Sequence, residues 1–167
     1  MKKLLPFAFL IFFFYSCIES SEDFSSQTLE GSWLRKFENT YEALDIIYSF
    51  DRNGTYENFI IRTGSQEELE NGIVGYYKGN YSISEGTILF SDRRYFYPEV
   101  YENPPSVPED LIEQTSFPMV IQSAEISFEE NEMVMVLIYG CNDMIPQADF
   151  MSICTEPEPK RYDKILE

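Results

Sequence analysis

The run from Ala43 to Ile61 constrains this chain more than any other part of it. Leu44, Ile46, Tyr48 and Phe50 alternate with Ala43, Asp45, Ile47 and Ser49. A strand satisfies that period of two and a helix does not. Asp51-Arg52-Asn53-Gly54 follows, with Asp first and Gly fourth, which suits a type I turn with the glycine in the left-handed region. Thr55 to Ile61 returns as the partner strand, so the segment reads as a β-hairpin with one strongly apolar face. The pattern recurs along the chain. Ile73 to Ser84 sets Tyr77, Tyr81 and Ile83 on one face, Glu85-Gly86 turns, and Thr87 to Ser91 and Arg93 to Tyr97 read as short strands. Met119 to Phe128 and Met133 to Tyr139 form a second hairpin with Glu129-Glu130-Asn131-Glu132 at its tip. Leu29 to Phe37 opens the ordered part, and Arg161 to Leu166 reads as a last strand. Helical signal is limited to short turns, one of them between Gly64 and Gly72, where Ser65 and Glu68 have capping-box spacing.

About eight strands in simple sequence order predict an all-β fold, an up-and-down antiparallel β-barrel. An antiparallel β-sandwich is the alternative that the same alternation permits. The rhythm breaks from Pro98 to Pro118, where Pro98, Pro104, Pro105, Pro108 and Pro118 cannot donate to a ladder. This is a long loop with a helical turn at Glu109 to Gln114. It is a candidate lid over a binding site, or a plain connection.

The amino end reads differently. Lys2 and Lys3 precede an apolar run from Leu4 to Tyr15, which is too short to span a bilayer comfortably but suits a secretory signal. Ser16-Cys17 follows at once, and this resembles the lipobox of bacterial lipoproteins. The resemblance implies removal of residues 1–16, a diacylglycerol on the Cys17 sulfur and a fatty acyl group such as palmitate on its new amine. Two or more chains anchor stably without a transmembrane helix. An ordinary signal peptide with a chance cysteine is the alternative. Residues 17–28 then form a flexible acidic tether, and 29–167 form the barrel domain. By the same analogy, Ile18 after the cysteine disfavours inner-membrane retention. The acidic cluster Glu19, Glu22 and Asp23 resembles a surface-export signal. The expected address is the outer membrane, on its periplasmic or cell-surface side, with the surface favoured.

With Cys17 assigned to the anchor, Cys141 and Cys154 remain. An oxidising exterior permits a disulfide between them. The closed loop of about 14 residues would contribute roughly 3 kcal/mol on an entropic account. A redox or metal role is disfavoured by the spacing and by the absence of histidine.

The barrel reading also carries a resemblance. Leu29-Glu30-Gly31-Ser32-Trp33 resembles the Gly-x-Trp opening strand of lipocalin-like domains. Phe50-Asp51-Arg52-Asn53-Gly54-Thr55-Tyr56 is similar to a Phe-x-x-x-Gly-Thr-Tyr hairpin of lipocalin-like bacterial lipoproteins, and Gly79-Asn80-Tyr81-Ser82-Ile83 to their Gly-x-Tyr-x-Ile strand. The resemblance covers residues 29–139. It implies that Trp33 plugs the closed end of the barrel under a basic residue from a late strand, for which Arg161 is the candidate.

Charge and missing residue types narrow the function. The full chain carries 12 basic and 29 acidic side chains, for a net charge of −17. Without Lys2 and Lys3 the balance is 10 against 29, or −19. Phosphate recognition needs clustered Lys and Arg, so nucleic acid is not an expected partner. The chain has no histidine. That rules out a Ser-His-Asp triad, a His-ligated metal and a His general base. There is no phosphate loop and no dinucleotide fingerprint. Neither a cofactor nor an enzymatic activity is expected. Two roles remain. One is a barrel that binds a small apolar ligand. The other is an envelope interaction or structural lipoprotein whose barrel Tyr48, Phe50, Tyr81, Phe90 and Phe128 pack solid. The lipobox reading makes a direct prediction. Metabolic labelling with an alkyne palmitate should mark the wild-type protein and not Cys17→Ser, and the wild-type mature mass should start at Cys17. An unlabelled wild-type product that keeps its first sixteen residues would contradict it.

Overall fold

The computed structural model describes residues 26–65, 69–116, 121–140 and 158–166. They begin with a turn of helix, α1 (Ser26–Leu29), ahead of the domain start expected at Leu29. Nine strands follow: β1 (Gly31–Glu38), β2 (Glu42–Phe50), β3 (Thr55–Ser65), β4 (Gly72–Ser84), β5 (Thr87–Tyr97), β6 (Ile112–Glu113), β7 (Gln122–Glu129), β8 (Val134–Tyr139) and β9 (Lys160–Ile165). Eight of them close into a ring in chain order, with only the two-residue β6 set aside, and every neighbouring pair is antiparallel. The seam joins the end of the chain to its beginning, through Ser32 opposite Ile165, Trp33 opposite Lys164 and Leu34 opposite Asp163. The fold is therefore a lipocalin-like up-and-down barrel, and the sandwich alternative is excluded.

Alternation in a closed ring fixes which side chains share the interior. The Asp51–Gly54 turn, the Glu85-Gly86 turn, the β7–β8 turn and α1 all lie at one end, the closed end. Glu38, Ser65, Tyr97 and Tyr139 end their strands at the other, open end. The Asp51–Gly54 turn forms as the sequence predicts. Gly54 has φ +85°, its N–H donates to the Asp51 carbonyl at 3.1 Å, and the Tyr81 hydroxyl donates to that same carbonyl at 2.9 Å.

Two sequence expectations are corrected. The short strands expected over 87–91 and 93–97 are one strand, β5, with a bulge in it. Lys78 pairs with Arg94 and Asn80 with Ser91, so Gly79 alone faces both Asp92 and Arg93. Asp92 takes φ +50° and its carboxylate turns outward to accept from Asn80 Nδ2 at 2.8 Å. A Cβ on Gly79 would sit 2.5 Å from the Ser91 carbonyl oxygen, so only glycine lets the strands approach this closely. The extra residue shifts the alternation, and Arg93, Tyr95 and Tyr97 face inward above Phe90. The helical turn expected at 109–114 is instead a 3₁₀ turn (Pro108–Asp110) followed by β6, which pairs Ile112 with Tyr97 and Glu113 with Phe96. Of the turn expected between Gly64 and Gly72, Ser65 ends β3 and Gly72 begins β4, while residues 66–68 lie outside the described set.

The Pro-rich segment covers the outer wall of β3 and β4. There Phe59, Ile61, Tyr76 and Phe96 pack with Ile73 and Leu111 into a second apolar cluster. The Ile73 N–H donates to the Pro105 carbonyl and the Glu70 N–H to the Glu102 carbonyl, both at 2.8 Å. Arg62 is the latch. Its side chain is wholly buried, pairs with Glu42 at 3.1 Å, and donates to the carbonyls of Tyr101 at 3.0 Å and Glu70 at 3.1 Å under the Tyr101 ring. Removing one partner of a buried pair leaves the other charge uncompensated. Arg62→Ala should therefore lose about 3 kcal/mol or more of stability in urea unfolding, with faster proteolysis between Pro98 and Leu111. A change within a few tenths of a kcal/mol would show that the latch carries no load.

Candidate functional site: the upper barrel

The barrel interior changes character along its axis. At the closed end it is filled with rings and branched side chains. Trp33 is fully buried, its indole N–H donates to the Leu29 carbonyl at 2.8 Å, and its ring lies 5.5 Å from Phe128. Above it, Phe50 stacks on Tyr48 at 5.5 Å and meets Tyr81 edge-on at 5.1 Å, while Tyr56 meets Phe90 edge-on at 4.9 Å. Offset and edge-to-face pairs of this kind are favourable beyond their buried area. Four of the five residues expected to fill the barrel (Tyr48, Phe50, Tyr81 and Phe90) are buried in this core. Phe128 is partly buried against it.

Toward the open end the lining becomes polar and half-buried. The Tyr48 and Tyr139 hydroxyls are 3.1 Å apart, as are those of Tyr77 and Tyr97. Each pair shares one bond between its phenols, and Tyr139 is also hydrogen-bonded to the Tyr162 phenol, so Tyr48, Tyr139 and Tyr162 form one linked group. Burial raises the ionisation of Tyr48, Tyr77 and Tyr139 well above the usual phenol range, and neighbouring phenols add to the effect. These groups stay protonated at neutral pH and act as donors.

Three cations share this region. Arg93, re-aimed by the bulge, donates from Nε to the Tyr56 hydroxyl at 2.8 Å and lies over the Phe90 ring at 5.6 Å. Its Nη2 is buried with no hydrogen-bond partner among the described residues. Lys160 sits 4.8 Å over the Tyr139 ring, and its ammonium is less basic than usual, first through burial and then through the neighbouring Arg35 charge. Glu158 opposes this more weakly. Arg35 in turn approaches the Tyr162 phenol. No carboxylate lies within ion-pair distance of Arg35, Arg93 or Lys160 among the described residues.

The residues singled out in the sequence fall as follows. Trp33 lies at the closed end, as the resemblance implies. The cation over its ring is Lys164, 5.0 Å from the centroid, and not Arg161. Alternation gives the reason: Tyr162 and Lys164 face inward, so Arg161 faces out, where it pairs with Glu129 and, at 4.0 Å, with Glu130. Two tip carboxylates of the second hairpin thus serve Arg161. Pro104 is buried, while Pro98, Pro105 and Pro108 are half-buried. From Glu102 to Leu111 the segment is fastened to the outer wall. Cys17, Cys141, Cys154 and Pro118 lie outside the described residues. The sequence reading missed Arg35, Arg93 and Lys160. Arg35 shares its face with Trp33 and Lys160 with Tyr162, so alternation could have flagged both. Arg93 could not be found that way, because the bulge reverses its face.

Two grooves lie on the outside of the barrel. One, of about 810 Å³, runs between the β2–β4 wall and Pro108, lined by Ile47, Phe59, Ile61 and Ile73. The other, of about 760 Å³, is mixed in charge and includes Glu57, Lys78, Asn80 and Arg94. No group of three or more metal-ligating side chains occurs among the described residues.

Comparison of the chain with protein-family models, with curated proteins and with solved structures finds no match.

The phenols tie stability to alkaline pH. Their folded pKa lies above the unfolded value near 10. Their contribution is fully present below pH 10 and is lost as pH rises above it, because the unfolded chain then releases protons that the native state retains. Absorbance at 295 nm should therefore show a group of tyrosines ionising only together with loss of the far-ultraviolet sheet signal. Ordinary titration of every tyrosine in a folded barrel would contradict the buried-phenol geometry.

Proposed function

We propose that this chain is an exported, lipid-anchored, non-enzymatic binding module whose barrel takes a small molecule into its upper, open end. The observation that carries the reading is the change of lining along the axis. A barrel serving only as a rigid body gains nothing from phenols and unneutralised cations in its interior, since buried polar groups without partners cost stability. Such groups are retained where a ligand completes them, and a few placed polar groups against apolar walls are the usual make-up of small-molecule sites. The ring-filled floor then sets the depth a ligand reaches. The anchor at Cys17, the disulfide between Cys141 and Cys154 and the outer-membrane address belong to the same proposal and rest on the sequence alone. The tether would leave from α1, at the end of the barrel opposite the mouth.

A second reading, an envelope protein that docks a partner on its surface, is favoured by one observation: the apolar groove beside Pro108 on the outer wall. Purification of the protein from its native membranes, followed by native mass spectrometry, separates the two. The ligand reading expects a stoichiometric small molecule that is released on denaturation. Bare protein together with a stoichiometric envelope partner would replace it with the second reading.

A further inference from the structure

The Arg93 guanidinium is built into the barrel at some cost. Placing it there requires the bulge, a non-glycine residue at positive φ in Asp92, and a glycine opposite at position 79. Without the extra residue the inward position above Phe90 would belong to Asp92, a carboxylate. The backbone irregularity thus exchanges an inward anion for an inward cation. Tyr56 accepts from Nε, but a guanidinium offers five N–H donors, and the buried Nη2 remains unpaired among the described residues. In a protein this acidic, carboxylates are the cheapest partners to supply. Four other cations have them: Arg52 with Glu30, Arg62 with Glu42, Arg94 with Glu113, and Arg161 with Glu129. Three of those pairs lie on the outer surface, and the fourth, Arg62 with Glu42, lies on the inward face opposite Leu44 near the rim, whereas Arg35, Arg93 and Lys160 have no such partner among the described residues.

Arg35 and Lys160 repeat the feature across the barrel. The Arg35 charge lies close enough to disfavour that of Lys160, a repulsion that an anion between them would relieve. Tyr139 links the two groups: Lys160 lies over its ring, and the Arg93 charge favours its ionised form. The linked phenols of Tyr48, Tyr139 and Tyr162 lie beside them. Cations and donors therefore converge on one region, and its floor is the Tyr48, Tyr56 and Phe90 rings.

We propose that the molecule bound in the upper barrel carries a carboxylate, taken up by Arg93 with Arg35 and Lys160 supplying the surrounding positive field, on an apolar body that lies against the tyrosine rings. This rests on the ligand-binding reading above and names the chemical class of the ligand. The same arrangement rejects a neutral isostere, which cannot neutralise the cations and leaves Nη2 unpaired.

The test uses the mature full-length protein in lipid nanodiscs and paired water-soluble probes: octanoate against octanamide, and naphthalene-1-carboxylate against naphthalene-1-carboxamide. Isothermal titration gives the affinities, with empty nanodiscs as the blank. The acids should bind about tenfold to a hundredfold more tightly than their amides. Arg93→Met should erase that preference while retaining the near-ultraviolet signal of packed tyrosines. Equal binding of acid and amide to the unaltered protein would overturn the anionic assignment and leave the binding reading standing, with no variant needed. A preference that survives in folded Arg93→Met would remove Arg93 from it. Binding of neither member of either pair would overturn the proposal and the small-molecule reading together.

Discussion

Tyr48 sits where the two halves of this barrel meet, and the rest of the interior is arranged around it. Its ring lies 5.5–6.2 Å from those of Phe50, Tyr56, Phe90 and Tyr162, which belong to four different strands including its own. Its hydroxyl reaches Tyr139 on a fifth. One side chain thus closes the apolar floor below and opens the polar lining above. A tyrosine can do this because its body is apolar and only its tip needs a partner. The floor excludes water, and exclusion of water is what makes the charges above it matter.

The outer wall solves a separate problem. The outer face of a barrel ordinarily meets solvent, yet Phe59, Ile61, Tyr76 and Phe96 crowd one side of this one. The Pro-rich segment covers them. Prolines suit that work, since an ordered chain rich in proline loses less entropy on folding and needs fewer hydrogen bonds. Arg62 fixes the segment to the rim by taking two of its neighbouring carbonyls, one from each side of the crossing. The acidic surface is consistent with solubility. It also makes Arg35, Arg93 and Lys160 conspicuous, because the partners they have among the described residues are phenols and their rings.

Much of the fold was legible in the sequence. Alternation across Leu44–Phe50, the Asp51–Gly54 turn and the second hairpin identified strands that the structure forms, with residues 119 and 120 of that hairpin outside the described set, and Trp33 lies at the closed end. The inward set Tyr48, Phe50, Tyr81 and Phe90 followed from the same period. Three features were not legible. Whether 87–91 and 93–97 were one strand or two depends on how Gly79 meets Asp92 across the ladder, a contact between segments that no local pattern contains. The cation over Trp33 was placed at Arg161 because the seam register of β9 against β1 was unknown, and a shift of one residue exchanges the faces of a strand. The Pro-rich segment's position on the outer wall depends on Arg62, whose partners are distant in sequence.

Side-chain order along the chain, by itself, determined an antiparallel all-β fold with an aromatic interior, since a period of two leaves a sheet one apolar face to bury, and the β1–β9 seam of the tertiary structure decided for a closed barrel over a sandwich. Only the tertiary structure decided what that interior contains near its mouth. Bulges and seams are settled when strands meet, and a single extra residue opposite Gly79 turned Asp92 out and Arg93 in. Local sequence sets the alternation, but the partner strand decides where it slips, and here the slip sets the sign of the charge inside.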